Sequence, residues 1–430
     1  MKDYLLGKKK DIKQLEIKPR DISFIETKTV AQAVIGPRRA GKSFSLFYWI
    51  KKQNIADEDY VLINFEDDEI ISLKREEKIK FLKYHMELYG KEPEYIFLDE
   101  IQNLERWDSF LYSLIEKKKY KIFITGSSSK LLSKEISTSL RGRTIDQVVF
   151  PLSFKEVLNL KNIEVKEPLH SMDIARINNE LMNYILSTGF PMVIIDQIDP
   201  RLFFKEYYEL IIFKDIVERY NIENIYALKM ILSRLISSCS CRVSINKIYN
   251  DLRSMGLKIG KRTIYSYIYL LETVFSIFLL KKLSFSIRKS EVSIPKIYLC
   301  DNGFVNYLLT TRTDKDIGRL MENLVYIELY KRSFKNGQDL FYYQSPQGYE
   351  IDFVIKEGLG IKELIQVTYA SEFDEIDPRE YRALIKASEL FKGTRLTIIT
   401  WDYEDQRVLE WWGRKAKIDF VPLWKWLLKT

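Results

Sequence analysis

The sequence predicts an α/β chain that begins with a parallel-sheet domain and ends with a second mixed α/β domain. Strand and helix patterns alternate through the first 150 residues, which is typical of a parallel sheet with right-handed crossovers. A loop bounded by glycines joins the first of these strands to a helix. After a largely helical middle, a strand, a turn at residues 346–348 and another strand predict a hairpin.

The first domain, residues 1–150, is predicted from short apolar runs that are separated by helical stretches. The predicted strands are Ala31–Ile35, Tyr60–Phe65, Tyr95–Leu98, Lys121–Thr125 and Thr144–Phe150, and the predicted helices include Lys42–Gln53 and Ile70–Tyr89. Ligands of such sheets bind beyond the carboxyl ends of the strands, so functional residues are expected there.

Three further domains are predicted after residue 150. Residues 151–237 are helical with a break at Gly189–Pro191, which predicts a helical lid or linker. Residues 238–290 read as helix, turn, helix and strand, the order of a winged helix-turn-helix. Residues 291–430 return to mixed α/β, with a hairpin formed by Phe341–Gln344 and Glu350–Ile355 and a further strand at Glu363–Thr368.

The composition favours a cytoplasmic protein. The 430 residues include only three cysteines, a count that suits a reducing compartment better than a disulfide scaffold. No run of 18 apolar residues occurs, so no membrane span and no membrane partner are expected. The first ten residues lack the apolar core of a signal peptide.

The loop after the first strand is a complete phosphate-binding loop of the pattern G-x-x-x-x-G-K-[ST]. At a helix N-terminus, free backbone N–H groups and the helix dipole favour a bound anion, here the phosphates of ATP. Lys42 is expected to reach the outer phosphates and Ser43 to ligate Mg²⁺. The predicted loop residues are Gly36, Pro37, Arg38, Arg39, Ala40, Gly41, Lys42 and Ser43.

Two acids end the third predicted strand. In P-loop ATPases an acid at this place holds Mg²⁺, a role that fits Asp99. Glu100 would then activate the attacking water as a general base. The alternative is a strand that ends in two solvated acids.

Two weaker candidates follow. A hydroxyl after the fourth strand, for which Ser127 is our choice, would either contact the γ-phosphate or cap the next helix. Arg143, with Arg141 beside it, would either stabilise the γ-phosphate of a neighbouring copy in a homo-oligomer or be an exposed arginine without a ligand.

The positive charge of the chain is concentrated in one segment. Residues 242–289 contain ten Lys and Arg residues and two acids, an excess equal to the net charge of +8 of the whole chain. This favours DNA as the partner of the predicted winged helix, although a protein-binding winged helix with a solvated basic face is the alternative. The side chains expected to face DNA are Lys261, Arg262, Thr263, Ser266 and Tyr267.

The order of motifs in the chain resembles one family. GPRRAGKS, FLDEIQ, ITGSSS, LRGR, FPLSFKEVL, IYLCDNGF, MENLVYIEL and EIDFVI follow one another as in archaeal and bacterial AAA-superfamily ATPases that carry a C-terminal restriction-endonuclease-like domain. The resemblance covers nearly the whole chain. It implies ATP binding, a winged-helix middle and a nuclease-type fold at the C-terminus.

The resemblance also places a nuclease centre, and this sequence departs from its pattern. Glu322 matches the helix acid and Asp352 the first strand acid, whereas Gln366 stands at the second acidic position and Thr368 at the position of the lysine. A neutral amide is a weaker metal ligand than a carboxylate, and threonine has no ammonium. The centre is therefore expected to be degenerate.

The expected function is an Mg²⁺-dependent ATPase that couples ATP binding and hydrolysis to DNA binding. One rival is an ATP-regulated DNA nuclease, which requires catalysis at Asp352. The other is a nucleotide-dependent switch that binds protein, which predicts no salt-dependent affinity for DNA.

Overall fold

A computed structural model describes residues 1–126, 142–166, 168–284, 286, 288, 290, 292–309 and 316–429. Two compact units are present, Met1–Leu152 with Thr273–Phe275, and Ser153–Glu272 with Ser276–Thr430. The domain bounds that the sequence suggests stay predictions; residues 151–152 and 273–275 of the later predicted domains belong to the first unit. No helix in the described ranges is long and apolar enough to cross a bilayer.

The first unit is built on a five-stranded sheet in which every pair of neighbours is parallel. Its strands are β1 Ala31–Ile35, β2 Tyr60–Asn64, β3 Tyr95–Asp99, β4 Lys121–Gly126 and β5 Thr144–Val148, in the order β2-β3-β4-β1-β5. This confirms the predicted parallel α/β sheet. Every strand therefore ends at the same edge, where the loop after β1 meets the acids after β3.

Helices cover this sheet because their apolar faces match its buried residues. Leu46, Trp49 and Ile50 of the helix after β1 pack with Val34 of β1 and Phe97 of β3 in one core. The helices of the unit are Lys2–Gln14, Lys42–Lys52, Asp68–Ile71, Arg75–Lys78, Phe81–Tyr89 and Trp107–Glu116.

The predicted helical stretch Ile70–Tyr89 is helical but interrupted. The chain forms three short helices over this stretch, with breaks at Ser72–Lys74 and Ile79–Lys80. Ile70 and Phe81 are both fully buried, whereas Arg75–Lys78 has no buried residue. A continuous helix is not favoured because the central charged residues offer it no apolar face.

The second unit begins with helices, and the predicted break at Gly189–Pro191 is confirmed because a helix ends at Ile185 and the next begins at Pro191. A π-helix over Ile211–Val217 joins two of its helices. The helices up to the basic segment are Phe154–Leu160, Ser171–Ile185, Pro191–Ile194, Pro200–Leu210, Glu218–Tyr220 and Ile225–Ile236.

The basic segment contains two helices and then a strand, as predicted. The helices are Ile245–Ser254 and Lys261–Thr273, and the latter is called the basic helix below. β6, Ile277–Leu280, pairs antiparallel with β7, Lys296–Leu299, so the second strand of this ribbon lies beyond the predicted boundary at residue 290.

A six-stranded mixed sheet forms the last part of the chain. Its strands are β8 Leu340–Gln344, β9 Glu350–Glu357, β10 Gly360–Val367, β11 Arg395–Thr400, β12 Asp405–Trp411 and β13 Arg414–Pro422, in the order β12-β13-β11-β10-β9-β8. β8, β9 and β10 are antiparallel neighbours, which confirms the predicted hairpin. Further helices of this region are Gly303–Leu308, Asp316–Lys331, Pro378–Leu390 and Leu423–Leu428.

Candidate functional site

The loop after β1 has the backbone that a phosphate site requires. Gly36 has φ +141°, and a Cβ there would lie 2.2 Å from the carbonyl oxygen of Val149. Gly41 caps the following helix with φ +91°. Both conformations favour glycine, so the two glycines of the motif are needed for the shape of the loop.

Side chains hold this loop from inside and outside. Lys42 is 6% exposed, and its Nζ donates to the carbonyl oxygens of Gly36 at 3.2 Å and Pro37 at 2.9 Å. From outside, Arg20 donates to the carbonyl oxygens of Ala40 and Phe150, both at 2.8 Å. Arg20 therefore ties the loop to the end of the sheet. Of the other loop residues, Arg38 is half-buried and Arg39 is exposed.

The metal candidates meet directly. Ser43 donates from Oγ to Oδ1 of Asp99 at 3.0 Å, and Thr125 donates to the same oxygen. Asp99 is 1% exposed. Burial raises the pKa of its carboxyl to about 6, a shift that the Thr125 hydrogen bond opposes and the charge of Glu100 increases.

Glu100 lies beside this group in a left-handed conformation with φ +50°. Its N–H donates to Oγ1 of Thr125 at 2.9 Å, and its carboxylate accepts a hydrogen bond from Gln102. Thr125 thus orients both acids. A non-glycine residue held at positive φ costs roughly 1–3 kcal/mol, and such strain is common at functional sites.

These residues fit ATP and Mg²⁺. Ser43 and Asp99 present a hydroxyl and a carboxylate oxygen at one point, which are oxygen ligands of the kind that Mg²⁺ prefers. Lys42 supplies the positive charge at the same end of the sheet. Ser127, which was predicted to contact the γ-phosphate, lies outside the described residues. Arg141, which is close to Arg143 in the sequence, also lies outside them.

Arg143 lies at the other edge of the sheet. Its carbonyl accepts the N–H of Ala31 at 2.9 Å, and it precedes β5, so it lies where the strands begin. Its guanidinium forms an ion pair with Glu116 and lies 5.0 Å from the centre of the Tyr112 ring. Five-residue strands separate this edge from the phosphate loop by roughly 15 Å. Arg143 therefore does not reach the loop of its own chain.

The basic helix presents most of the predicted DNA-facing residues to solvent. Lys261, Arg262, Thr263 and Ser266 are exposed. Tyr267 is 5% exposed, so its predicted place on the DNA face is wrong. The helix turns by 100° per residue, which places Tyr267 on the same side as the buried Ile264 and Leu271.

The nuclease-like residues form a closed ionic group around a lysine that the sequence did not indicate. Lys296 of β7 lies 2.8 Å from carboxylate oxygens of Glu322 and Asp352 and 3.0 Å from Glu350. Lys296, Glu322 and Asp352 are 2%, 8% and 7% exposed. We call Glu322, Glu350 and Asp352 the carboxylate cluster. Its centre is occupied by an ammonium group.

Other protein groups also donate to the carboxylate cluster. Tyr298 donates to Glu322 at 2.6 Å, and the N–H of Val367 donates to Asp352 at 3.0 Å. Arg242 pairs with Glu350 at 3.1 Å.

The positions of the missing motif residues are occupied by neutral groups. Gln366 accepts the N–H of Asp352 at 2.8 Å, and its amide nitrogen donates to Glu380. Thr368 donates its backbone N–H to Ile399 at 2.9 Å. The amide oxygen of Gln366 is therefore already engaged.

The charges of this group nearly balance. Burial, followed by the charge of Asp352, raises the pKa of Glu322 to about 8, so Glu322 is largely protonated at neutral pH. Lys296 and Arg242 then face Glu350 and Asp352. Among the described residues no group of three His, Cys, Asp or Glu side chains is arranged to hold a metal ion.

Sequence reasoning missed Arg20, Lys296 and Glu380. Each forms a hydrogen bond or an ion pair with a motif residue that is distant in the sequence. No local spacing relates Lys296 to Asp352, since two helices and the strand β8 lie between β7 and β9. A lysine within an apolar strand, KIYL, is the one signal that would have singled out Lys296.

A phosphate loop whose serine contacts a buried aspartate, at the carboxyl edge of a parallel sheet, is the site of a P-loop ATPase. Residues 28–158 match the model of the AAA domain family, which makes this an ATPase core of AAA type. Residues 178–315 and 317–422 match two domains of unknown function (DUF8612 and DUF4143).

The chain belongs to the family of an uncharacterized protein of Methanocaldococcus jannaschii. The two are 37% identical over 421 residues, which cover 97% of this chain and 92% of the relative. An uncharacterized protein of Haemophilus influenzae is 28% identical over 433 residues and covers the full length of both chains.

Solved structures are similar at a much lower level. The ORC1 protein of Aeropyrum pernix in complex with DNA is 12% identical, with a TM-score of 0.28, and the match covers 71% of this chain and 88% of that one. A likeness at this level carries no argument about function.

Proposed function

We propose that this protein is an Mg²⁺-dependent ATPase that couples ATP binding and hydrolysis to DNA binding. The observation that carries the ATPase part is the hydrogen bond between Ser43 and Asp99, with Lys42 inside the loop and Glu100 next to Asp99. This is the combination of groups that phosphoryl transfer to water requires.

Each residue has a separate role in this proposal. Lys42 and the backbone N–H groups of the loop would bind the phosphates, while Ser43 and Asp99 would hold Mg²⁺. The bound ion would stabilise negative charge on the reacting phosphate. Glu100 would accept the proton of the attacking water, and Thr125 would keep both acids in place.

Two finer contacts belong to the same proposal. Ser127 would contact the γ-phosphate. Arg143 would serve the γ-phosphate of a second copy, which would make the active form a homo-oligomer.

The DNA part rests on the helix pair and its charges. Five exposed basic residues of this region form no ion pair with a described acid: Lys247, Arg253, Lys258, Lys261 and Arg262. Unpaired cations on one helix pair are suited to a polyanion. We interpret the two helices, with β6 and β7 as the wing, as a winged helix-turn-helix, and the helices over residues 153–236 as a lid.

ATP hydrolysis by wild type and two variants tests the ATPase part. Glu100→Gln should bind ATP but hydrolyse it roughly 10²–10⁴-fold more slowly, since the general base is lost. Lys42→Ala should weaken nucleotide binding itself. The matched control is Glu105→Gln, an exposed acid near β3, which should hydrolyse ATP normally. Wild-type turnover by Glu100→Gln, or turnover that persists in EDTA, would overturn the assignment.

The rival nuclease activity is disfavoured by one observation. Lys296 lies where the carboxylate cluster would have to bind a metal, and Tyr298, Val367 and Arg242 also donate to the cluster. We therefore propose that the C-terminal domain has an endonuclease-like fold without its activity.

A further inference from the structure

The basic helix carries an aromatic pair on its solvent face. Tyr265 and Tyr269 are 60% and 57% exposed, whereas Tyr267, between them in sequence, is buried. The two exposed rings are four residues apart, so they lie side by side along the helix surface, with Cβ atoms roughly 5–6 Å apart. Arg262 is one turn before Tyr265 on the same face.

The surroundings of this pair are strongly basic. Lys261 and Arg262 begin the helix, and Lys247, Arg253 and Lys258 lie on the preceding helix and turn. The acid of that helix, Asp251, lies 3.5 Å from Arg234 of a neighbouring helix, so it neutralises none of these five. An aromatic pair within uncompensated positive charge is complementary to a polyanion that has flat apolar groups.

Nucleic acid is a polyanion of this kind. Whether its bases are paired or unpaired decides how much two exposed tyrosines can contribute to binding. In a duplex the faces of the bases are covered by their neighbours, and proteins read base edges with hydrogen-bonding side chains. In a single strand the faces are open, and each base that stacks on an aromatic ring strengthens binding roughly 5–150-fold. Exposed rings therefore favour unpaired bases over a duplex.

We propose that this face of the basic helix binds unpaired DNA, with Tyr265 and Tyr269 stacking on bases and Lys261 and Arg262 contacting phosphates. The proposal rests on the DNA binding proposed above and narrows its substrate to single-stranded or melted DNA.

The test compares two labelled oligonucleotides, one single strand and the duplex of the same sequence, by fluorescence anisotropy. Tyr265→Ala with Tyr269→Ala should weaken single-strand binding by at least about tenfold and change duplex binding by less than about twofold. Tyr265→Phe with Tyr269→Phe should keep wild-type affinity, since the rings remain. Trp412→Ala, which removes an 86% exposed aromatic ring in the turn after β12, is the control and should change neither.

Salt dependence separates the stacking from the phosphate contacts. The tyrosine-to-alanine pair should leave the slope of log K against log salt unchanged. Lys261→Ala with Arg262→Ala should reduce the magnitude of the single-strand slope by roughly 1.4, because two phosphate contacts are lost.

Four outcomes would overturn the inference. Wild-type binding of both DNAs with no effect of the tyrosine variants would do so, as would an equal loss for single strand and duplex. If wild type binds neither DNA, the proposed DNA binding itself fails and a protein partner for this face takes its place. A loss in the alanine pair without rescue in the phenylalanine pair would assign the effect to the hydroxyls rather than to stacking.

Discussion

The position of Lys296 shows why the nuclease motif of the C-terminal domain cannot be interpreted from the spacing of residues in the sequence alone. Thr368 stands where a lysine is expected in the motif, yet an ammonium group is present, supplied by β7. It lies among three carboxylates instead of beside an open metal site. Only the pairing of distant segments places it there, so the sequence predicted Glu322 and Asp352 but missed Glu350 and the cation that the three acids share.

Removal of Lys296 should destabilise the fold. Lys296→Met leaves Glu350 and Asp352 without their shared cation, and breaking a buried ion pair from one side costs about 3–5 kcal/mol. Urea unfolding at pH 7 measures the loss. Lys296→Met with Asp352→Asn should be less destabilised than the sum of the two single variants, because the unpaired charge is removed with its partner. Additive losses would show that Lys296 and Asp352 do not interact.

The position of Lys296 among the carboxylates predicts that the protein has no nuclease activity. The purified protein should not cleave DNA with Mg²⁺ or Mn²⁺, because Lys296 and Arg242 nearly balance the charge of the carboxylate cluster and the amide oxygen of Gln366 is already engaged. Agarose-gel assays of plasmid and linear DNA measure this. Cleavage that disappears in Asp352→Ala would restore the nuclease interpretation.

At the scale of elements, the sequence correctly predicted those features that the chemistry of neighbouring residues determines. β1 and the phosphate loop, whose glycines, lysine and serine must stand at fixed spacing, were found at their predicted positions. The predicted exposure of Tyr267 was wrong, and the sequence did not show the two breaks in the helical stretch Ile70–Tyr89, since each depends on which side of the segment packs against the rest of the unit. Helical periodicity alone does not choose between Tyr265 and Tyr267 in a helix rich in tyrosine and isoleucine.

The phosphate loop provides a test at this scale. Gly36→Ala combines an unfavourable φ with a Cβ that would collide with the carbonyl of Val149. Gly90→Ala is the matched control, since Gly90 also has positive φ but nothing lies within 4 Å of its added Cβ. Gly90→Ala should cost about 1 kcal/mol of unfolding free energy and keep ATP binding. Gly36→Ala should cost about 1–3 kcal/mol more and abolish ATP binding; equal effects would contradict the role of Gly36.

Glu272, near the end of the basic helix, should make the stability of the folded protein depend on pH. Glu272 accepts the N–H of Leu279 at 3.2 Å, and burial raises its pKa from 4.5 to about 7. The folded state thus binds this proton more tightly than the unfolded state, so this contribution to stability falls as pH rises from about 4.5 to about 7. Glu272→Gln keeps the acceptor without the charge.

Relative to wild type, Glu272→Gln should gain at most about 3 kcal/mol at pH 8 and almost nothing at pH 4.5. Urea unfolding of both proteins at the two pH values measures the difference. An equal difference at the two pH values would show that Glu272 does not titrate as proposed.

At the scale of the whole molecule, the nucleotide and DNA candidates belong to different compact units of the chain. The ATPase core is in the first unit, while the basic helix is in the second except for its last residue. Lys261 and Arg262 of this helix belong to the segment 242–289, whose excess of positive charge equals the net charge of +8 of the chain. The account therefore requires that ATP in one unit changes the affinity of the other for DNA. Such coupling between two sites is typically worth about 1–3 kcal/mol, or roughly 5–150-fold in affinity.

The most direct test titrates labelled DNA with the Glu100→Gln protein, which should hold ATP without turning it over, in Mg²⁺ with and without ATP. The account predicts dissociation constants that differ by at least about fivefold between the two conditions. The difference should be absent in Lys42→Ala, which does not retain the nucleotide. Equal DNA affinity with and without ATP in Glu100→Gln, under conditions in which ATP is shown to be bound, would contradict the proposed coupling.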